Sequence, residues 1–171
     1  MKLSVTLALL ICAHILPADT LRISRVMAEA GPETDRMVQS REVDGETKEE
    51  ELFIAQAIVV GDEDVESAVR VGKVINVKLN DVGASKLAAV TKKMTLGRER
   101  LAIIVDGKVV SAPRVMAVLG ANFQIEGGLN GDERSLENLA RKMSGRPLLK
   151  KGEDTPPLES PLTPAKSAAS D

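Results

Sequence analysis

Few side chains of this 171-residue chain combine the types and spacing that catalysis requires. The sequence has one Cys and one His, Cys12 and His14, and both lie in an apolar N-terminal segment. Ser111 is a conceivable nucleophile, but no glycine-flanked elbow surrounds it. A Ser-Lys pair with Lys108 or Lys86 has no supporting motif. The sequence therefore predicts a protein that is not an enzyme, and a small hydrolase is the alternative.

Two polar clusters could bind ligands, and each has a structural explanation. Four closely spaced acids could bind calcium, but their spacing does not match an EF-hand loop, and acids also suit a helix start. These acids are Asp62, Glu63, Asp64 and Glu66. Gly127, Gly128 and Gly131 could cradle a phosphate, but Asp132 and Glu133 follow and would repel it. We therefore expect no metal ion and no cofactor.

A modest basic cluster follows the predicted middle helix and consists of Lys92, Lys93, Arg98 and Arg100. Cations there suit the negative helix end, and the functional alternative is contact with anionic lipid headgroups or an acidic peptide. The net charge of -2 and the absence of Trp and Tyr argue against a nucleic-acid partner. A polypeptide or protein partner is the remaining expectation, and the oligomeric state stays open.

The first residues have the pattern of a signal peptide. Lys2 precedes an apolar run over 3–16, which is short for a bilayer span, and Pro17 then breaks it. Cleavage after Ala18 would remove residues 1–18 and export the protein to the periplasm or the exterior. An uncleaved signal could retain it at the membrane. Lipid on Cys12 is a weaker alternative because bulky Ile11 precedes that cysteine, and a buried first helix is another.

Composition divides the rest of the chain into three parts. Residues 19–50 are polar and charged and predict a flexible spacer, with a short helix over 21–30 as an alternative. Residues 51–147 form the predicted globular domain. Residues 148–171 are rich in Pro, Ser and Thr and predict a disordered tail.

Apolar periodicity within the globular part predicts an α+β fold. Asp106-Gly107 suits a tight turn between antiparallel strands, and Pro113 should end the second of them. The resulting order is β, short α, β, α, β, β, β, α. It favours a mixed or mostly antiparallel sheet with two main helices packed on one face. The predicted strands are 52–60, 75–79, 101–105, 108–110 and 123–125, and the helices begin near Asp64, Asn80 and Asn130.

Several segments in this order resemble the head subdomain of the first periplasmic domain of SecD and SecDF. The most specific is Leu101–Pro113 (LAIIVDGKVVSAP), which is similar to the family's LAIVLDGKVISAP pattern. Asn76–Ala89 and Phe123–Gly127 resemble its other segments, and the resemblance covers 52–143. The family-motif positions, for which we expect structural roles, are Gly83, Thr91, Leu101, Ala102, Asp106, Gly107, Ser111, Ala112, Pro113 and Gly127.

The resemblance implies an exported, non-enzymatic binding module for unfolded or emerging polypeptide in secretion or envelope assembly. A structural tethering domain without substrate is the alternative. No counterpart of the family's base subdomain or of its proton-carrying transmembrane acids is evident, so we expect no proton-conducting membrane domain in this chain. An extended polypeptide could add to a sheet edge formed by 52–60 or by 121–126, and the sequence leaves that choice open.

Overall fold

The computed structural model describes residues 20–126 and 132–154. The strands are β1 Leu21–Met27, β2 Thr34–Val43, β3 Glu46–Val60, β4 Val65–Val71, β5 Val74–Leu79, β6 Arg100–Val105, β7 Lys108–Ser111 and β8 Asn122–Ile125. The helices are α1 Asp81–Thr91 and α2 Glu133–Met143, and a short 3₁₀ turn spans Asp62–Asp64. One sheet has the order β2-β3-β1-β6-β7, and the other has the order β4-β5-β8. The paired strands are antiparallel, which confirms an α+β fold.

Two hydrophobic clusters lie on opposite faces of β6. The larger cluster joins Leu101, Ile103 and Val105 to apolar side chains of both sheets and both helices. The smaller cluster joins Ala102 and Ile104 to side chains of β3 and β7. The predicted strand 101–105 is therefore confirmed, and it is covered on both faces. Since α1 contacts β3 and β5, which belong to different sheets, the packing of both helices on one face stays a prediction.

The expectation of a flexible spacer over 19–50 is wrong, and so is the alternative of a helix over 21–30. This segment holds β1, β2 and the start of β3. Leu21 and Ile23 of β1 are fully or almost fully buried and belong to the larger cluster. Asp44, Gly45 and Glu46 at the end of the β2–β3 hairpin are exposed, so the composition there resembles that of a spacer although the two strands are paired up to the turn.

A second predicted helix is also a strand. Residues after Asp64 continue into β4, whose Ala68 and Arg70 are buried while their neighbours are half-buried or exposed. Gly72, with φ +64°, then turns the chain into β5. The short 3₁₀ turn is all that remains of the predicted helix. An alternating strand whose inward positions carry Ala and Arg has little apolar signal, which explains the error.

The last helix is confirmed, but its cap and its continuation differ from the expectation. Asp132 caps α2 by accepting the Ser135 N–H at 2.8 Å, whereas Asn130 lies outside the described residues. The predicted tail over 148–171 is wrong in its first part, because Leu149 is buried and its N–H bonds to Asn138 Oδ1 at 2.8 Å. We call residues 148–154 the C-terminal strap. The rest of the predicted tail lies outside the described residues.

The membrane-related expectations concern the beginning of the chain. Residues 1–18, the predicted signal peptide, lie outside the described residues together with Cys12. Among residues 20–126 and 132–154, no helix has both the length and the apolar character needed to cross a bilayer.

A buried ion pair joins β4 to α2. The Arg70 side chain is only 3% exposed, and its Nε lies 3.7 Å from Glu137 Oε2 without forming a hydrogen bond. Glu137, itself 10% exposed, accepts a hydrogen bond from Arg141 Nε at 2.9 Å. Arg70 therefore depends mainly on Glu137 for its compensating charge, since its contact to Glu133 is longer, at 3.9 Å.

We predict unequal effects when the two partners are replaced. Glu137→Leu leaves the buried guanidinium uncompensated and should lower the free energy of unfolding by about 3 kcal/mol. Arg70→Met should cost less, because Glu137 keeps Arg141. The double variant should recover much of the loss. Urea unfolding followed by far-UV circular dichroism measures all three.

An exposed pair provides the control for this cycle. Lys78 and Glu66 lie 2.7 Å apart with about half of each side chain exposed, so Glu66→Leu should cost less than about 1 kcal/mol. Equal costs for the buried and the exposed pair would contradict the assigned role of burial.

Candidate functional site

The free edges of the five-stranded sheet are brought close to one another. β2 and β7 are its end strands, so each has backbone N–H and C=O groups on one side without a strand partner in the sheet. The sheet curls until these end strands are in contact. Between them lies a groove of about 980 Å³, which we call the edge groove.

The edge groove has an apolar floor and a polar rim. Met37 of β2 and Val109 of β7 line it and belong to the smaller hydrophobic cluster or pack against it. Ser40, Lys108 and Glu126 are among the polar lining residues. A concave surface with an apolar centre and scattered polar groups is the usual form of a binding site.

Gln39 is the most unusual residue of the edge groove. It is only 8% exposed, yet within the part of the chain that the structure describes its side chain has no hydrogen bond to protein. Its amide atoms are also not among those sealed away from solvent without a partner. A primary amide both donates and accepts, as the peptide backbone does. Gln39 can therefore form hydrogen bonds to the main chain of a bound polypeptide, called the guest below, whatever the guest's sequence.

Two segments were predicted to form a sheet edge, 52–60 and 121–126. The first prediction is wrong, and the second segment does contain an end strand. Strand β3 contains 52–60 and lies between β2 and β1, so it is not an end strand: it pairs with β2 up to Ala55 and with β1 from Phe53 to Val60. Strand β8, within the predicted 121–126, is an end strand of the three-stranded sheet. β2 was not predicted because its residues lie in the predicted spacer. The signal that could have identified it is Asp44-Gly45, which has positive φ at both residues, +55° and +79°, and joins β2 to β3 in a tight turn.

The most specific family-like segment, Leu101–Pro113, forms the hairpin that supplies one wall of the edge groove. Leu101 and Ala102 are buried on opposite faces of β6. Asp106 and Gly107 both have positive φ, +46° and +75°, as the predicted tight turn requires. The Asp106 carboxylate accepts a bond from Lys142 Nζ at 2.6 Å, and this ties the turn to α2.

Arg100 fixes the other end of this hairpin. Its Nε donates to the carbonyl oxygen of Ala112 at 2.7 Å, and its guanidinium pairs with Glu50 of β3. The Leu101 N–H meanwhile donates to the carbonyl oxygen of Pro113 at 3.2 Å. The hydrogen bond from Arg100 is the main cause of the lowered pKa of Glu50. Arg100 therefore has a structural role and does not act together with the other residues of the basic cluster predicted from sequence.

The structure does not support a Ser-Lys catalytic pair. Ser111 is half-buried on β7 at the edge groove. Lys86 Nζ bonds to Asp64 Oδ1 at 2.8 Å, and this bond is the main cause of its raised pKa. A lysine with a raised pKa stays protonated and cannot serve as a general base. Among the described residues, no hydrogen bond links Ser111 to Lys108.

Gly83 and Thr91 hold α1 in place. A Cβ on Gly83 would lie 2.6 Å from the Cβ of Asp64 and 2.9 Å from its carbonyl oxygen, so only glycine allows this close approach. Asn80 caps the helix, as expected, by accepting the Gly83 N–H at 2.9 Å. Thr91 is buried, and its hydroxyl donates to the Leu87 carbonyl and accepts from the Leu119 N–H. Both family-motif residues thus lie at structural contacts.

The acidic residues considered as calcium ligands are bound to protein groups. Asp62 accepts the N–H groups of Thr20 and Leu21, each at 2.7 Å. Asp64 pairs with Lys86, and the remaining two acids, Glu63 and Glu66, pair with Lys86 and Lys78. Within the described residues, no group of three or more His, Cys, Asp or Glu side chains could hold a metal ion. The glycines considered as a phosphate cradle, Gly127 among them, lie outside those residues.

We predict that Gly83→Ala destabilises the protein although alanine favours helix formation. The new methyl group would overlap backbone atoms of Asp64 and should lower the free energy of unfolding by about 1–3 kcal/mol. Thermal unfolding followed by circular dichroism measures the effect. Ser85→Ala, at an exposed position of the same helix, should stay within about 0.5 kcal/mol of the parent.

We also predict that Glu50 contributes to the pH dependence of stability. Its folded-state pKa lies below the ordinary 4.5, so its contribution is present above that value and is lost as pH falls through the folded pKa. Glu50→Gln should therefore have a lower urea midpoint than the parent protein at neutral pH, and the two midpoints should become equal in acid. Exposed Glu29→Gln is the control, and an equal deficit for Glu50→Gln at both pH values would contradict the assignment.

Known proteins resemble this chain in sequence and in fold. A family model described as "SecDF, P1 head subdomain" matches residues 35–147. Protein translocase subunit SecD of Acidaminococcus fermentans is 41% identical over 68 residues, which cover 39% of this chain and 15% of that protein. This chain thus spans a small part of the length of that curated relative.

Two solved structures match this chain. One is described as SecDF in super-membrane-facing form. It has a TM-score of 0.45 and 26% identity, and the match covers 56% of this chain and 13% of that one. The other is described as a membrane component SecDF that enhances protein export. It has a TM-score of 0.50 and 19% identity, and the match covers 77% of this chain and 65% of that one. The second likeness supports the fold alone.

Proposed function

This chain belongs to the SecDF P1 head subdomain family, and from that premise we propose that it is an exported, non-enzymatic domain that binds extended polypeptide during protein translocation. The curated relative is a translocase subunit, and this chain spans 15% of it, so its role enters here as part of the proposal. The observation that carries the proposal is the edge groove, with free strand edges on both walls.

Backbone pairing along β2 is the proposed source of affinity. β2 has 10 residues against 4 in β7, so its free edge offers the longer ladder to an added strand. Pairing through main-chain groups is tolerant of sequence, which suits a protein that must accept many polypeptides. The groove follows β2 over residues 36–42.

The floor of the edge groove suits alternate side chains of an added strand. Successive residues of an extended chain point to opposite sides, so every second guest side chain would face Met37 and Val109. Methionine is flexible and polarisable and adapts to guests of different shape. Gln39, which is buried in the groove, would bond to the guest backbone.

The rim of the edge groove has no single sign of charge. The lining includes three basic residues, Arg36, Arg41 and Lys108, and two acidic residues, Glu42 and Glu126. A rim with one sign of charge would select guests of the opposite charge, whereas a mixed rim discriminates weakly. The charge pattern therefore agrees with binding that depends on an unfolded conformation more than on sequence.

The proposed guest is a chain that has not folded, and export supplies the setting. The signal-peptide pattern over 1–18 supports release on the outer side of a membrane, where emerging polypeptides are unfolded. A non-enzymatic domain would bind them reversibly.

We predict that Gln39→Leu weakens polypeptide binding without loss of fold. Leucine keeps the buried volume and removes the amide, so the affinity should fall about three- to ten-fold for one lost hydrogen bond. The probe is a reduced and carboxymethylated secretory protein that cannot refold, and fluorescence anisotropy of this labelled protein measures the affinity. The same protein with intact disulfides should not bind.

Gln124→Leu is the matched control because Gln124 lies on β8, the other sheet edge predicted from sequence. Its affinity should equal that of the parent. If Gln124→Leu lost binding and Gln39→Leu did not, the binding site would be assigned to β8. Absence of any binding at micromolar protein would overturn the proposal and favour a tethering domain without a polypeptide substrate.

A further inference from the structure

Two loops expose large apolar side chains beside the C-terminal end of α1. Leu96 is 51% exposed, Met116 71% and Val118 53%. We call these three residues the loop patch. Apolar side chains grouped this way in a soluble protein indicate contact with another molecule or a membrane surface.

Backbone hydrogen bonds hold the loop patch together. The Gly97 N–H donates to the Val115 carbonyl at 2.8 Å, which places Leu96 and Met116 on either side of one bonded pair. The Leu119 N–H donates to Thr91 Oγ1 at 3.1 Å, and this brings neighbouring Val118 to the end of α1. These bonds therefore fix the backbone next to the three residues of the loop patch.

Basic side chains surround the loop patch. Lys92 and Lys93 follow α1, and Arg98 and Arg114 lie within the two loops, all exposed. Among the described residues, none of the four forms an ion pair with an acid. The nearby Glu99 is already occupied, since it accepts the Thr95 N–H and pairs with Arg25, and its pKa is lowered chiefly by the bond from Thr95. The surroundings of the patch thus carry net positive charge.

We propose that the loop patch and its basic surroundings rest on a lipid surface that bears anionic headgroups. Leucine, methionine and valine side chains can enter the boundary between headgroups and acyl chains, while lysine and arginine contact the phosphates. A second copy of this chain would present the same positive charge and be repelled. The inference uses no residue of the edge groove and goes beyond the proposed function.

A fluorophore on the loop patch tests this directly in the full chain. Cys12 is the sole cysteine, so Cys12→Ser with Val118→Cys carries one nitrobenzoxadiazole label at the patch. Vesicles of equal parts phosphatidylcholine and phosphatidylglycerol should shift its emission to the blue, and vesicles of phosphatidylcholine alone should not. The same label at Val82→Cys, exposed at the other end of α1, should stay unshifted.

Charge variants test the electrostatic part. Lys92→Gln combined with Lys93→Gln should raise the lipid concentration for half-maximal shift about five-fold for each charge removed. Lys48→Gln with Lys73→Gln, which removes two exposed lysines elsewhere, should leave it unchanged. Circular dichroism verifies the fold, and Met116→Cys is the second labelling position.

Four outcomes would overturn the inference. The first is that the protein co-sediments with the vesicles while the emission of the label at position 118 stays unshifted, and the second is that the labels at positions 118 and 82 shift equally. The third is that the shift is equal with and without phosphatidylglycerol. The fourth is that polyglutamate shifts the emission and lipid does not. The last would assign the patch to an acidic polypeptide. Because the shift is read at the patch, attachment of residues 1–19 to the vesicle does not produce it.

Discussion

Strand β1 pairs on one side with β3 and on the other with β6, and the two hairpins of the five-stranded sheet are joined only through it. The backbone N–H groups of Leu21, its first residue, and of the preceding Thr20 donate to the carboxylate of Asp62. An unpaired central strand would leave many buried backbone groups without partners, which is costly. The curl that brings β2 close to β7 requires both hairpins to be attached to this strand.

The family match begins at residue 35 and therefore leaves out β1. The matched part contains both walls of the edge groove, but the strand that sets their relative position precedes it in the chain. Besides its backbone pairing, β1 contributes buried surface: Leu21 and Ile23 enter the larger hydrophobic cluster, whose members come from both sheets and both helices. The groove thus depends on a segment whose sequence suggests a spacer.

The elements that sequence predicted correctly are those with local signals. Asp106-Gly107 dictates a hairpin because the turn needs positive φ, and Asn80 caps α1 through its own side chain. β1, β2 and β4 have weak apolar alternation. β1 is a strand through its pairing with the distant β3 and β6, whereas β2 and β4 each form a hairpin with the strand that follows. Sheet order is equally nonlocal, which is why 52–60 was expected at an edge. Gln39 was missed for the same reason, since a lone glutamine has no meaning until its strand is known.

The C-terminal strap has a mechanical consequence. Arg134, in the first turn of α2, donates to the carbonyl oxygens of Leu149, Lys150 and Glu153, so the strap runs back along the helix. Tension on the chain beyond residue 154 would load these bonds before it reached α2 or the sheets. Release of residues 148–154 would add roughly 20 Å of reach at about 3.3 Å per residue. Release of the strap would therefore lengthen this end of the domain before α2 or either sheet is disturbed.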